Sequence, residues 1–417
     1  MRKTVTATAI VAAFLSVAAF AVAYEGADVS GSGEFILSDT CPPSFELSED
    51  NRCLFRSLYE EYTAPAGYGG LRAPLPDLRD GYSPQQIDLG RYLFFDPVLS
   101  SDGTMACASC HDPDLGFADG RGRSIGAGST GHGADRWGGV TLPRGAPTLW
   151  NVAFLRSLFW DARADSLEEQ AAGPLLSPDE MGATVEGIEA ALNGNAAYRA
   201  LFGHAFPTSA GGKIAFADVV RALVAFQTSL ISLNSPYDRY AHGDADALNA
   251  REIAGHNIFR SFVTRCSQCH TPPLFTNSEI AVIGSPEPDG VPFDEGAEAP
   301  SGDADMRGAF KVPTLRNIAL TAPYMHSGRF GTLGDVLDFY NSGRGNAVPP
   351  GERLHVHWHI TDFELSKTEI DDLTAFLKSL NDESMMPEIP EKVPSGLPVV
   401  TSRQTAHVTA TQTGDLP

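Results

Sequence analysis

Positive charge is scarce in this sequence. Lysine and arginine number 30 against 52 aspartates and glutamates, a formal net charge of −22 over 417 residues. A surplus of that size argues against nucleic acid and against anionic membrane surfaces as partners. A basic protein would be attracted from a distance, whereas an acidic one would need a local basic patch. Long apolar runs are missing after residue 23, so no membrane span is expected in the mature chain. Cysteine is rare, and four of the six fall into two short motifs. Neither motif has a second ligand pair downstream at zinc-site spacing, which counts against structural zinc.

The one long apolar run stands at the start. Arg2 and Lys3 precede a stretch from Val5 to Val22, and Ala21-Val22-Ala23 is a small-x-small cleavage site. Residues 1–23 therefore read as an export signal, with the mature chain expected to begin at Tyr24 in the periplasm. An uncleaved anchor is the alternative, but a small-residue site directly after the run favours removal. Without those two cations the net charge is about −24. The length left is too great for one ordinary domain and predicts two or three. In an oxidising compartment the two cysteines outside the motifs, Cys41 and Cys53, are expected to form a disulfide closing a short loop. A metal or redox site there would want a nearby His or a CxxC spacing, and has neither.

The motifs are Cys107-Ala108-Ser109-Cys110-His111 and Cys266-Ser267-Gln268-Cys269-His270. Covalent haem attachment needs two thiols spaced to reach both vinyl groups and an imidazole beside the second thiol for the iron. CxxCH supplies all three in five residues. Two covalent haem c groups are expected, with His111 and His270 as proximal iron ligands.

The chain also repeats itself around these motifs. Leu89-Gly90-Arg91-Tyr92-Leu93-Phe94 precedes the first, and Ala254-Gly255-His256-Asn257-Ile258-Phe259 precedes the second. Pro147-Thr148-Leu149-Trp150-Asn151 follows the first, and Pro313-Thr314-Leu315-Arg316-Asn317 follows the second. Laying Pro147 on Pro313 pairs Asn151 with Asn317, Trp160 with His326, Arg163 with Arg329 and Leu167 with Leu333, without a gap. The pattern predicts a mainly α protein with two tandem cytochrome c-like domains, each with one covalent haem c, joined by long irregular loops. Helix starts are read at Ser83-Pro84-Gln85-Gln86, at Thr332 and at Ser366-Lys367-Thr368-Glu369, with Gly343 as a stop. The expected organisation is a signal at 1–23, an N-terminal extension at 24–82 and a first haem domain at 83–240. A second haem domain at 241–386 and a flexible tail at 387–417 complete it.

The repeat makes the two halves unequal at one informative place, where Tyr340 falls on Pro174. A phenolate oxygen is a haem ligand type, whereas proline has no side-chain donor. Tyr340 is thus a candidate distal ligand to the second iron, or else an ordinary core aromatic, and the first iron should keep an open sixth position. Near that open position lie Gln170 and Glu180. Splitting peroxide needs a group that moves a proton from one oxygen to the other, which a carboxylate in a haem pocket does. A helix cap is the plainer role for Glu180, and a core aromatic the plainer role for Trp160, against a relay between haems.

With these motifs in hand the chain resembles the bacterial di-haem cytochrome c peroxidases and their MauG relatives over about residues 83–382. Leu89-Gly90-Arg91-Tyr92-Leu93-Phe94-Phe95-Asp96-Pro97, both CxxCH motifs, Phe159-Trp160-Asp161, Ser166-Leu167-Glu168-Glu169-Gln170, Glu180-Met181 and Pro323-Tyr324-Met325-His326-Ser327-Gly328 carry the likeness. The resemblance implies that the N-terminal haem meets hydrogen peroxide and that the C-terminal haem relays or stores electrons. It makes Glu180 the acid/base carboxylate, Gln170 its pocket neighbour and Trp160 the residue between the haems. It also implies a choice at Tyr340, where the peroxidases place Met and the MauG type places Tyr. A thioether raises the haem potential, while a hard, anionic phenolate favours higher oxidation states of the iron. The implied partner is a small electron donor, a cytochrome c or cupredoxin, or else a protein whose side chain is oxidised.

Three departures stand against the family pattern. Ser124-Ile125-Gly126 is followed by Ala127 where the peroxidases carry a His; His132 lies in the same loop as a possible substitute. Gly145 replaces an Asn of the family's calcium site, leaving only the carbonyls of Thr321 and Pro323, so calcium is in doubt. Thr264 replaces the surface Trp that MauG uses as an electron exit, so oxidation of a partner would need another route. His355-Val356-His357-Trp358-His359 alternates like a strand and is read as a polar strand edge rather than a copper or zinc site. A plain di-haem carrier, the third function class, would need no pocket acid. The reading is a hydrogen-peroxide-dependent di-haem oxidoreductase.

Overall fold

In the computed structural model, residues 35–56, 75–131, 135–207, 212–344, 346–382 and 384–401 are described. The signal segment and His132 lie outside them. Among the described residues, eight helices run nine residues or longer: α1 Pro84–Phe95, α2 Leu167–Leu176, α3 Val185–Gly194, α4 Ala196–Ala205, α5 Phe216–Thr228, α6 Ala250–Phe259, α7 Leu333–Asn341 and α8 Lys367–Lys378. Strands are confined to three antiparallel pairs: β1 Phe45–Leu47 with β2 Cys53–Phe55, β3 Ser129–Thr130 with β4 Trp137–Gly138, and β5 Ile280–Val282 with β6 Ala309–Lys311. The fold is mainly helical, and no helix among the described residues is long and apolar enough to cross a membrane.

The helices begin where short polar side chains satisfy their orphan N–H groups. Ser83 Oγ accepts from the Gln86 amide at 3.2 Å while the Gln86 side chain accepts from the Ser83 amide at 3.2 Å. Thr332 with Asp335 and Ser366 with Glu369 build the same box at α7 and α8. Gly343, at φ 68°, ends the turn after α7. The apolar stripe of α8 buries Leu373, Phe376 and Leu377, and Leu380 is buried in the turn beyond it.

Two helix crossings frame the molecule, and each copies the other. Where α1 meets α5, a Cβ on Gly90 would collide with the Ala222 carbonyl and stand 2.8 Å from Phe226 Cβ. Where α6 meets α8, a Cβ on Gly255 would collide with the Asp372 carbonyl and stand 2.8 Å from Phe376 Cβ. Aromatic rings close around both: Phe94 lies 5.0 Å from Phe226, and Phe259 lies 5.2 Å from Phe376. The repeat persists in the backbone. Asn151 and Asn317 have φ of 60° and 57°, and Phe159 and Met325 have 64° and 69°. The bridges Leu158–Ala164 and Tyr324–Phe330 occupy the same places, 166 residues apart. Both asparagines grip the connecting segment at Ser232: Asn151 Nδ2 donates to its carbonyl at 3.0 Å, and Asn317 Nδ2 donates to its Oγ at 3.1 Å.

Three features differ from the sequence reading. A boundary at 240 would cut the short helix Pro236–Ala241, which packs with the second half. Tyr237 joins Phe259, Phe275 and Phe376, and the buried Asp238 pairs with Arg316 at 2.5 Å. The tail expected from 387 onward is held through residue 401. Val393, Val399 and Val400 are buried in the first core, and Ser395 Oγ donates to the buried Asp96 at 2.7 Å. The three valines follow no helical or strand period, and each is buried against the first core. Residues 355–359 are not a strand either, because no neighbouring segment pairs with them as a ladder. Cys41 and Cys53 are joined by a disulfide across the β1–β2 hairpin.

Replacing Gly90 or Gly255 by Ala is expected to destabilise the protein by about 3 kcal/mol through backbone overpacking. Gly203→Ala, in open space on α4, should instead be neutral or stabilising by up to about 1 kcal/mol. Denaturant midpoints of the three variants, followed by circular dichroism, test this.

Candidate functional site

The first thiol pair sits on a 3-10 turn, Cys107–Ser109, against the aromatic core of α1 and α5. Burial pushes the Cys107 thiol up to about 12. His111 donates its Nδ1–H to the Phe117 carbonyl at 2.9 Å, which leaves Nε2 free to ligate a metal. Phe117 in turn stands edge-on to the buried Trp150, 5.1 Å away. Arg136, almost wholly buried, donates to Cys110 Sγ at 3.4 Å, while its Nε and second Nη have no partner among the described residues.

Glu180 lies near this centre, close enough that its charge is felt at Cys110. Burial raises its carboxyl above the ordinary value, against the opposing hydrogen bond of Ser177 and charge of Arg163. It caps no helix, since the next one starts at Val185. The segment around it is pinned: Ala127 donates its amide to the Asp179 carbonyl at 2.9 Å, and a Cβ on Gly126 would strike that same carbonyl. Gln170 and Pro174 both lie on α2, half-buried, and Met181 donates its amide to the Pro174 carbonyl at 3.1 Å.

The second centre opens into a deep cavity lined by Cys266, Cys269, His270, Met325, Tyr340 and His359. His270 Nδ1–H is shared between the carbonyls of Phe275 and Pro313, each at 3.1 Å, and Nε2 is again left free. Burial and the neighbouring Cys266 and Cys269 push the Tyr340 hydroxyl above its ordinary value. Lys311 also lines the cavity, and burial alone lowers its ammonium to about 8. Trp160 forms the wall toward the first half, its Nε1–H donating to the Gly145 carbonyl at 2.9 Å. His326, its counterpart in the repeat, stacks on Phe310 at 3.8 Å and bonds Glu287 at 2.7 Å.

The halves meet beside Trp160. Gly328 packs so tightly on Gly122 that a side chain on Gly328 would overlap the Gly122 backbone, and one on Gly122 would strike the Ser327 carbonyl. Arg144 bridges Asp161 of the first half at 2.6 Å and Asp294 of the second at 2.7 Å, all three poorly exposed. Thr321 and Pro323 line the same cavity, but among the described residues no group of three or more His, Cys, Asp or Glu gathers to hold a metal ion.

The histidine loop is arranged differently from a strand edge with three imidazoles on one face. His355 faces outward to Asp305 at 2.9 Å, whereas His359 turns into the cavity wall. Chain reversal at Trp358 and His359 breaks the alternation that the sequence pattern implies. Arg136 and Lys311 are the site residues that sequence reasoning missed, since a single basic residue carries no spacing signal; His359, read there as part of a polar strand edge, instead lines the cavity. The residues present fit a haem at both centres: a pair of thiols and an imidazole oriented by backbone carbonyls at each, with the buried Arg136 beside the first and the buried Lys311 ammonium beside the second suited to a propionate.

Comparison with known proteins agrees with this chemistry. Residues 84–246 match the family described as di-haem cytochrome c peroxidase. The methylamine utilization protein MauG of Methylorubrum extorquens is 37% identical over 310 residues, covering 74% of this chain and 82% of that protein. Cytochrome c551 peroxidase of Nitrosomonas europaea is 33% identical, covering 80% and 91%. Among solved structures, a MauG-like protein associated with microbial copper homeostasis superposes with a TM-score of 0.66 at 32% identity, covering 79% of this chain and 99% of that one. The diheme peroxidase BthA of Burkholderia thailandensis gives 0.62 at 26%, covering 88% and 99%.

The Arg144 bridge generates a stability prediction. Burial raises the Asp294 carboxyl, and hydrogen bonds from Arg144 and the Gly296 amide, with the charge of Arg144, more than offset this, leaving it below its ordinary value. Its contribution is therefore present above the ordinary carboxylate range and lost as pH falls through the lowered native value. Arg144→Met should cost about 3 kcal/mol at neutral pH by stranding a buried charge, and less as the medium is acidified. Thermal unfolding of both proteins across that range checks it.

Proposed function

The chain belongs to the di-haem cytochrome c peroxidase and MauG family, and on that footing we propose a periplasmic oxidoreductase that consumes hydrogen peroxide at its N-terminal centre and relays or stores oxidising equivalents at its C-terminal one. The observation that carries this reading is the inequality of a repeated frame. At one repeat position the second half presents Tyr340 to the cavity of Cys266, Cys269 and His270, while the first half has Pro174. The first half instead keeps the half-buried carboxyl of Glu180 near Cys110.

In this reading Cys107 and Cys110 hold one haem c and Cys266 and Cys269 the other, with His111 and His270 presenting Nε2 to the irons. The bound haem supplies the redox centre at which the peroxide O–O bond is cleaved. Glu180 accepts the proton of the near oxygen and returns it to the leaving one, a task for a carboxylate that ionises somewhat reluctantly. Gln170 is the polar neighbour expected to orient peroxide. Ala127 in place of a His removes a side chain that could cap the first centre. Arg136 and Lys311 provide charge partners for carboxylate groups of the cofactors. Tyr340 closes the second centre as a hard oxygen ligand, and Trp160 stands between the two. Calcium is left out, since Gly145 brings no side-chain oxygen to Thr321 and Pro323.

Tyr340 also favours a second reading of the reductant. A centre poised toward high oxidation states suits MauG-type oxidation of a partner-protein side chain, rather than uptake of electrons from a small cytochrome or cupredoxin. Both versions share the peroxide step.

Electron paramagnetic resonance of the ferric protein tests the common part. One high-spin and one low-spin signal are expected, both lost on adding peroxide. Two low-spin signals that persist in peroxide would overturn the reading. Glu180→Gln should slow the reaction with peroxide by about 10²- to 10³-fold in stopped-flow absorbance. Because Glu180 must be ionised to take the proton, the wild-type rate should rise with pH through a value above the ordinary 4.5, and the variant should lose that rise. Tyr340→Met should shift the low-spin signal and the visible spectrum. An unchanged spectrum removes Tyr340 from the ligand set.

A further inference from the structure

The loop leading into the second thiol pair carries the most exposed apolar patch near either centre. Phe262 is 86% exposed and Val263 60%, both within the six residues that connect α6 to Cys266. Trp358, 62% exposed, adjoins them through Arg265, whose guanidinium lies 5.2 Å from the indole ring. Large apolar side chains left in water at one spot mark a contact surface. Trp358 also connects inward. Its ring centre lies 3.7 Å from that of His359, and His359 lines the cavity shared by Cys266, Cys269, His270 and Tyr340. Neither ring nitrogen of His359 has a hydrogen-bond partner among the described residues. Thr264, just before the thiol pair, offers no comparable path. It is buried and donates to the Ile258 carbonyl at 2.5 Å.

We propose that Trp358, with Phe262, Val263 and Arg265, forms the docking and electron-entry surface of the second centre for a redox partner whose contact face is apolar and edged with carboxylates. The charge pattern selects that partner. The chain carries −22 overall, yet the patch is flanked by Arg260 and Arg265, with Glu279 as the acidic neighbour felt at His359. An acidic protein repelled by the overall charge finds a complementary contact beside the indole. This inference rests on the peroxide reading above. Hydrogen peroxide takes up two electrons and two protons to give two water molecules. Each electron leaves the partner and passes through Trp358 past His359 into the cavity, so the indole loses one electron inward and regains one from outside.

The test uses the full-length holoprotein with reduced plastocyanin, an acidic cupredoxin, as electron donor. Trp358→Ala should slow plastocyanin oxidation about ten-fold, the loss expected of one interface anchor. Its reaction with peroxide alone, followed by stopped-flow absorbance, should match wild type. Phe262→Ser should weaken plastocyanin binding measured by calorimetry. Peroxide given without a donor should leave oxygen atoms on Trp358, found by peptide mass spectrometry, and should spare the equally exposed Trp137. Oxygen on Trp137 with Trp358 untouched would overturn the proposal, as would wild-type plastocyanin oxidation by Trp358→Ala. A wild-type protein whose absorbance never changes with peroxide would sink the peroxide reading instead. The surface would then stand or fall on the calorimetry of Phe262→Ser.

Discussion

Everything in this molecule hangs on two backbone contacts made by glycine. Gly90 lets α1 lie directly against α5, and Gly255 lets α6 lie against α8, each at a distance that leaves no room for a methyl group. Such close crossings fix the direction of the chain leaving each first helix. That direction brings the thiol pair round to the same place in both halves. The imidazoles are then aimed by carbonyls of the following loop, Phe117 for His111 and Phe275 for His270. Backbone acceptors are less mobile than side chains, so the orientation of each imidazole is set by the fold itself.

A repeated frame gives the chain two equivalent positions on which to place different residues. Pro174 and Tyr340 share one such position, and Trp160 and His326 share another. The duplication therefore separates roles without altering the scaffold. The two asparagines that hold Ser232, and the Arg144 bridge between Asp161 and Asp294, keep the halves in a single relation. The same fixed relation holds the wall built from Trp160 and Gly145 in place.

Charge acts on two scales here. At long range the acidic surplus governs which proteins approach. Inside, the sign reverses locally: Arg136 and Lys311 are buried cations beside the two centres, and Arg265 stands at the exposed Trp358. Buried cations are costly in an apolar interior unless negative groups meet them. Their placement is thus chemical information about the sites, and net charge conceals it.

Much of the molecule was legible in the sequence because it is encoded locally. A capping box spans four residues, CxxCH spans five, and the repeat is a matter of counting; Ser83, Thr332, Ser366 and the offset of 166 required no coordinates. The disulfide followed from having two cysteines to spare. Tertiary structure alone decided whatever depends on residues far apart in the chain. It assigned the helix at Pro236–Ala241 to the second core, through Asp238 and Arg316, and returned residues 393–400 to the first. It turned His359 away from His355 and into a cavity wall, and it put Trp358 beside Arg265. Side-chain period reveals which face of an element is apolar, but a loop has no period. What a loop residue touches is fixed only when distant segments pack around it.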